Sequence, residues 1–243
     1  MLLNRNLRWI IVGEVHGTNE TPVAFADLVC AASKRRPVVA AVEQTVLAQP
    51  EIDAFISSDG SPSARAAFLK SQIWNQKMKD GRSSEAYFRL FERLREMRAS
   101  GQVKRVVAFQ PAAFAPEPGV YEKLMADALM SKVDPNDLVV ALSGNLHARL
   151  TPFPFANPYK PMAGNLPVKE TATLDARPDG GSTWACMPDC GPHSLGNSAS
   201  SSARAIVLDG TTEGYTGVFY LGVPATPSVP QNSEQVDQHQ GDK

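Results

Sequence analysis

The chain has 243 residues, 43% of them hydrophobic and 20% charged, with a formal net charge of −1. That length suffices to bury one sizeable core, and a near-neutral chain without an aromatic-and-basic motif offers nothing to a nucleic acid. No apolar run approaches the roughly 18–20 residues that span a bilayer. The N-terminus MLLNRNLRWIIVG lacks a signal peptide's apolar core and small-residue cleavage site. The chain as written therefore reads as cytoplasmic; one whose leader had been removed would read the same and be periplasmic.

Residues 8–12, RWIIV, read as a buried strand. Thr21 then suits a helix N-cap with Pro22 at the first helical position. Phe25, Leu28, Val29 and Ala32 recur at i, i+3, i+4 and i+7, which predicts an amphipathic helix to about Arg36, stopped by Pro37. PVVAAVEQ, 37–44, is a second apolar strand. Two uninterrupted apolar strands around a helix predict a parallel sheet covered on both faces.

A long excursion, about 49–101, is helical in pattern and broken at SSDGSPS and KDGRSS. Its last helix carries Tyr87, Phe91 and Leu94 at i, i+4 and i+7. The window 77–105 holds nine Lys/Arg against four Asp/Glu. It reads as a solvated helix face, because Glu85 and Arg89 stand at the supportive i,i+4 spacing. KRVVAFQP, 104–111, is a third strand, GVYEKLMADALMSKV, 119–133, a helix, and DLVVALSGNLHA, 137–148, a fourth strand running into a loop.

After a Pro-rich loop, short strands are expected around 168–175, 182–187, 203–209 and 215–221, with turn signals that suggest an antiparallel meander. From Val223 the composition is that of a disordered segment. The expected fold is α/β: a mainly parallel central sheet flanked by helices, with a helical excursion after the second strand and an antiparallel C-terminal extension. It forms one domain over 1–222 with an insertion at about 49–101, followed by a disordered tail, 223–243.

Of three cysteines, Cys30 falls on the apolar side of the first helix and reads as a small hydrophobe. Cys186 and Cys190, in WACMPDCGPH, are followed by His193. Two cysteines and one histidine supply only three zinc ligands, so a disulfide closing a short loop or a pair of free thiols is expected. A disulfide would favour an exported protein.

In an open parallel sheet, ligands bind beyond the carboxyl ends of the strands. Glu14 and His16 stand there after the first strand, Glu43 after the second, Gln110 after the third and His147 after the fourth. Both histidines close a Gly-x-x-His, GEVH at 13–16 and GNLH at 144–147, where glycine permits a sharp turn off the strand. Imidazole serves as metal ligand, general base or haem ligand, and glutamate as metal ligand or proton carrier. Four strands presenting such groups at one end predict a site.

These motifs resemble a known superfamily, the one containing the erythromycin esterases, the ChaN-like haem-uptake lipoproteins and the Tiki/TraB proteins. The resemblance covers roughly 8–150. GEVHGTNE is similar to the first motif, carrying His16 and Glu20; VVAAVEQ to the second, with Glu43 at the strand end; SGNLHA to the last, carrying His147. Arg82, in WNQKMKDGRSSEAYF, is the candidate for the arginine of the signature.

The resemblance implies two functions. In the first, a hydrolase of an ester or peptide bond, His16, Glu20, Glu43 and His147 hold a divalent metal (manganese, cobalt or zinc), or the histidines activate water directly. Glu14 or Glu20 is then the base, and Arg82 stabilises the oxyanion. In the second, the cleft binds haem or another iron compound, with Tyr159 or Tyr87 assisting. No GxSxG elbow, Walker loop or GxGxxG is present, which disfavours a serine hydrolase and nucleotide partners. The expected partner is a small-molecule or peptide substrate. Nothing in the sequence specifies an oligomeric state.

Overall fold

The computed structural model describes residues 7–76, 79–187, 189–196, 203–208 and 213–231. In chain order these form β1 (Trp9–Glu14), α1 (Glu20–Ser33), β2 (Val38–Thr45), α2 (Gln49–Ile56), α3 (Pro62–Leu69), α4 (Glu85–Ala99), β3 (Val103–Gln110), α5 (Pro118–Met130) and β4 (Leu138–Gly144). There follow β5 (Thr171–Arg177), β6 (Ser182–Cys186), β7 (Cys190–Ser194), β8 (Ala205–Val207) and β9 (Gly217–Tyr220).

A seven-stranded sheet runs β3-β2-β4-β1-β5-β9-β8. Every pairing in it is parallel except that of β8 with β9. The α/β fold with a mainly parallel sheet is as the apolar strands imply. The C-terminal extension divides differently from one meander. β5 and β9 extend the parallel sheet, β8 runs antiparallel at its edge, and β6 and β7 form a separate antiparallel hairpin.

β1 and β4 are buried at every position, and alternation along each strand feeds two apolar layers. Ile10 and Val12 of β1 pack with Phe25 and Val29 of α1 and with Phe91 and Leu94 of α4. Trp9 and Ile11 face the other way, onto Met125 and Leu129 of α5. Trp74 is a packing residue, edge-on to Phe68 at 5.4 Å and to Phe88 at 5.6 Å. The basic stretch is the outer face of α4, where Arg89 meets Glu85 at 3.6 Å and Arg93 meets Asp27 at 2.7 Å. Among the described residues no helix is long and apolar enough to cross a membrane.

Two local expectations are corrected. α1 starts at Glu20, and the hydroxyl of buried Thr18, rather than Thr21, accepts from the helix's first turn (Thr21 N, 3.4 Å). The segment expected to be disordered from Val223 is docked as far as Gln231. Ser228 donates from its backbone to Gly17 O (2.8 Å), and Glu85 N, at the start of α4, donates to Val229 O (3.0 Å). The second bond satisfies an orphan donor at the α4 N-terminus and the first ties down the loop after β1, neither of which polar composition reveals. The rest of that expectation, from residue 232, lies outside the described residues.

Candidate functional site

Because β4 sits between β2 and β1, residues from three adjacent strand ends meet. Gly13 pairs with Ser143 and Glu14 with Gly144, while Val42 pairs with Leu142, so Glu43 emerges beside Ser143. Ser143 Oγ (2.8 Å) and Gly144 N (2.6 Å) both donate to Glu43 Oε2. The other oxygen, Oε1, accepts from Arg82 Nη1 at 2.7 Å. It also faces His16 Nε2 at 3.7 Å and His147 Nε2 at 3.9 Å. Glu43 is thus the hub, its carboxylate fixed from one side and looking at two imidazoles on the other.

Neither glycine of the two GxxH motifs adopts a positive φ. Gly144 serves close approach instead: a Cβ there would lie 3.1 Å from His16 Nε2 and 3.3 Å from His147 Cδ2. The turn after β1 belongs to Gly17, with φ +87°, against which Trp184 O packs so closely that a side chain has no room.

Each histidine is aimed by its own carboxylate through Nδ1. His16 Nδ1 donates to Glu14 Oε1 at 2.8 Å, an oxygen that also accepts from the Tyr87 hydroxyl. His147 Nδ1 donates to Glu122 Oε1 at 2.7 Å, and Glu122 Oε2 accepts from Met162 N at 2.7 Å. With Nδ1–H committed in this way, Nε2 is the atom each ring offers to the cleft. The histidine side chains keep 21% and 24% exposure while Glu43 has 3%, so the cleft opens on the imidazole side.

Arg82 reaches the hub from the turn before α4. Its Nε and Nη2 donate to Asp80, and Gln44 Nε2 donates to its carbonyl at 2.6 Å. The turn is pressed onto the first motif, since a Cβ on Gly81 would strike Gly17.

The electrostatics follow from this packing. Burial alone would lower the His16 pKa, but its bonds to Glu14 and Glu43 override burial and push it up to about 10. Burial opposes protonation of His147 too, yet Glu43 and then Glu122 raise its pKa. Burial would raise the Glu43 pKa; the charges of His147, Arg82 and His16 hold it well below the usual range instead. Tyr87 is raised well above normal by burial and by the Glu14 charge, so its hydroxyl stays a donor.

Of the residues expected at the site, Glu14, His16, Glu43, Arg82 and His147 are brought together. Glu20 is not: its carboxylate accepts from Thr226 N (2.8 Å) and from the Thr226 hydroxyl. Tyr159 is not either. It sits in the loop after β4, 6.1 Å ring to ring from Phe155, and makes no hydrogen bond to either histidine. Gln110 is turned aside to the Tyr121 hydroxyl (3.1 Å).

The proposed metal set also fits poorly. Among the described residues no three His, Cys, Asp or Glu side chains are disposed to hold a metal ion. Glu20 is elsewhere, and the Glu43 oxygen nearest both histidines already carries a guanidinium.

Three partners escaped the sequence reading, Glu122, Asp80 and Ser143, while Tyr87 was expected at the cleft only as an aid to haem and is found on Glu14. Glu122 had a signal, since it shares the buried i, i+3, i+4, i+7 stripe of α5 with Met125, Ala126 and Leu129. A carboxylate in an apolar stripe needs a partner.

The hairpin of β6 and β7 covers the first motif and is closed by a Cys186–Cys190 disulfide. The Thr183 hydroxyl donates to His16 O, Trp184 N to Gly17 O (2.9 Å), and Cys186 Sγ lies 3.4 Å from Lys79 O. Reduction is expected to free the hairpin, speeding amide exchange at Trp184. A short closed loop is worth about 2 kcal/mol, so the melting temperature should fall by about 4–8 °C. Unchanged Trp184 exchange in dithiothreitol would contradict this clamp.

No family model matches the chain, and no curated protein matches it in sequence. Solved structures do share its fold. An erythromycin esterase, EreC, in its open conformation superposes with a TM-score of 0.54 at 11% identity, covering 92% of each chain. The type III effector HopBA1 gives 0.52 at 13% identity, over 90% of this chain and 88% of the effector. A structure described as bacterial protein toxins gives 0.50 at 19% identity over 72% of this chain. There the match spans only 35% of the toxin.

Proposed function

We propose that the chain is a hydrolase of ester or peptide bonds that activates water with histidine and glutamate, without a metal. The observation that carries this reading is the convergence of both Nε2 atoms on Glu43 Oε1, each ring aimed by a separate carboxylate. Of the superfamily's branches, the esterase one is favoured by the fold shared with an erythromycin esterase over nearly the whole chain. The haem alternative finds less support, because the Tyr87 hydroxyl is committed to Glu14.

The roles follow from the proton inventory. His16, with its pKa near 10, is an imidazolium at neutral pH and offers Nε2–H to a developing oxyanion. His147 is the base. Its Nε2 takes a proton from water as the oxygen attacks the carbonyl carbon, and returns that proton to the departing alkoxide or amine. Glu122 stabilises the imidazolium formed meanwhile. Arg82 is spent on Asp80 and Glu43, so it fixes the hub rather than serving as the main oxyanion donor. The Cys186–Cys190 bond favours an oxidising compartment over the cytoplasm.

This assignment fixes a pH profile. A base must be unprotonated, so kcat/KM rises as pH climbs through the raised His147 pKa, above the ordinary 6.5. It falls again as His16 loses its proton near pH 10. A His16→Gln variant should lose the alkaline limb with most of its activity. A profile that falls monotonically from pH 6 would contradict the assignment of base and acid.

A further inference from the structure

The loop after β4 folds over the start of α5 and leaves a cleft of about 690 Å³ between them. Val120, Phe155, Pro158 and Tyr159 line it, and Glu117 is the one charged residue of the lining among the described residues. That volume is in the range of small-molecule sites, which are mostly apolar with few polar groups. Phe155 and Tyr159 present near-parallel rings, 25° apart. Val120 is 51% exposed and Phe155 42%, an unusual outlay of apolar surface for one loop and one helical turn.

The cleft's position ties it to the candidate site. α5 follows β3 in a parallel sheet, so its N-terminus lies at the carboxyl ends of the strands, the end that carries the histidines. Glu122, in the next turn of the same helix, holds His147. Beside it the Tyr121 ring lies 6.3 Å from the His147 ring and stacks at 5.1 Å on Phe114, which is 82% exposed. From the cleft itself, Tyr159 lies near enough to Glu122 to feel its charge, so the cleft neighbours the carboxylate that aims the base.

We propose that this cleft is the subsite for an uncharged aliphatic or aromatic group of the substrate, next to the bond attacked at His147. Its link to catalysis rests on the hydrolase reading; its chemistry does not. Apolar walls reward burial of such a group, and Glu117, with no lining cation to offset it, repels an anionic one.

The test uses the full chain with two fluorescent probes, neutral N-phenylnaphthylamine and anionic anilinonaphthalene sulfonate. It also uses nitrophenyl esters of short and medium acyl chains. Val120→Asp and Phe155→Ser alter exposed positions; Val23→Asp, exposed on α1, is the control for fold and charge. The neutral probe should bind more tightly than the anionic one. Val120→Asp and Phe155→Ser should weaken it about tenfold and raise KM for the longer esters with little change in kcat, while Val23→Asp leaves binding unchanged.

Equal binding by wild type and Val120→Asp, or preference for the anionic probe, overturns the subsite. If that happens while turnover remains sensitive to His147→Ala, only the subsite falls. If no ester is turned over while the neutral probe still depends on Val120 and Phe155, the hydrolase reading falls and the binding site stands.

Discussion

Glu43→Gln is expected to lower kcat/KM by about a hundred- to a thousandfold, the scale seen when one preorganised electrostatic contact is removed from an active site. The carboxylate faces both imidazoles and Arg82 through one oxygen, and Ser143 and Gly144 anchor the other. A neutral amide keeps the volume but withdraws the charge that holds His16 protonated and Arg82 in place. Breaking a buried charge pair on one side costs about 3–5 kcal/mol. The histidines can shed protons in response, so the lower end of that range is expected in denaturant melts at neutral pH. Activity within twofold of wild type would show that Glu43 is a structural carboxylate.

Removing residues 223–243 is expected to damage the fold more than Glu43→Gln does. The segment to Gln231 supplies acceptors for Asn19 N, Glu85 N and Ala86 N, and donates to Gly17 O, Ser83 O and both carboxylate oxygens of Glu20. Ala225 and Ser228 of the segment are themselves buried. Two of these seven bonds, from Thr226 to Glu20, are exposed; the other five, at about 1 kcal/mol net each, give a loss of about 5 kcal/mol, or about 10–20 °C in melting temperature. Because Gly17 O accepts from both Ser228 and Trp184, the loop carrying His16 should loosen as well. A truncated protein that melts with wild type would mean that this docking contributes nothing to stability.

These two cases mark where sequence reasoning reached and where it stopped. β1, β2 and β4 were legible because strands buried on both faces must be apolar throughout, and the switch to Glu14, His16 and Glu43 marks where the apolar run ends, although Glu14 and Glu43 are themselves buried. That these groups converge was legible from strand parallelism alone. Which carboxylate serves which histidine was not. Glu122 lies over twenty residues before His147 and reaches it only because α5 packs in one apolar layer with β3 and β4; Glu20, close to His16 in sequence, is drawn away by Thr226. The direction of β5 was hidden for a similar reason. A short strand's partner is chosen by the sheet edge available to it, here that of β1. The docked segment after Val223 is held by backbone bonds to loops and a helix start, and polar, proline-rich composition carries no trace of such bonds.

The most direct measurement of the central claim is turnover of nitrophenyl esters and short peptides by chelator-dialysed protein, wild type beside His147→Ala. The account predicts hydrolysis that survives dialysis and is lost in the variant while its circular dichroism is unchanged. Hydrolysis that returns only with added manganese, cobalt or zinc, or that persists in His147→Ala, would contradict it.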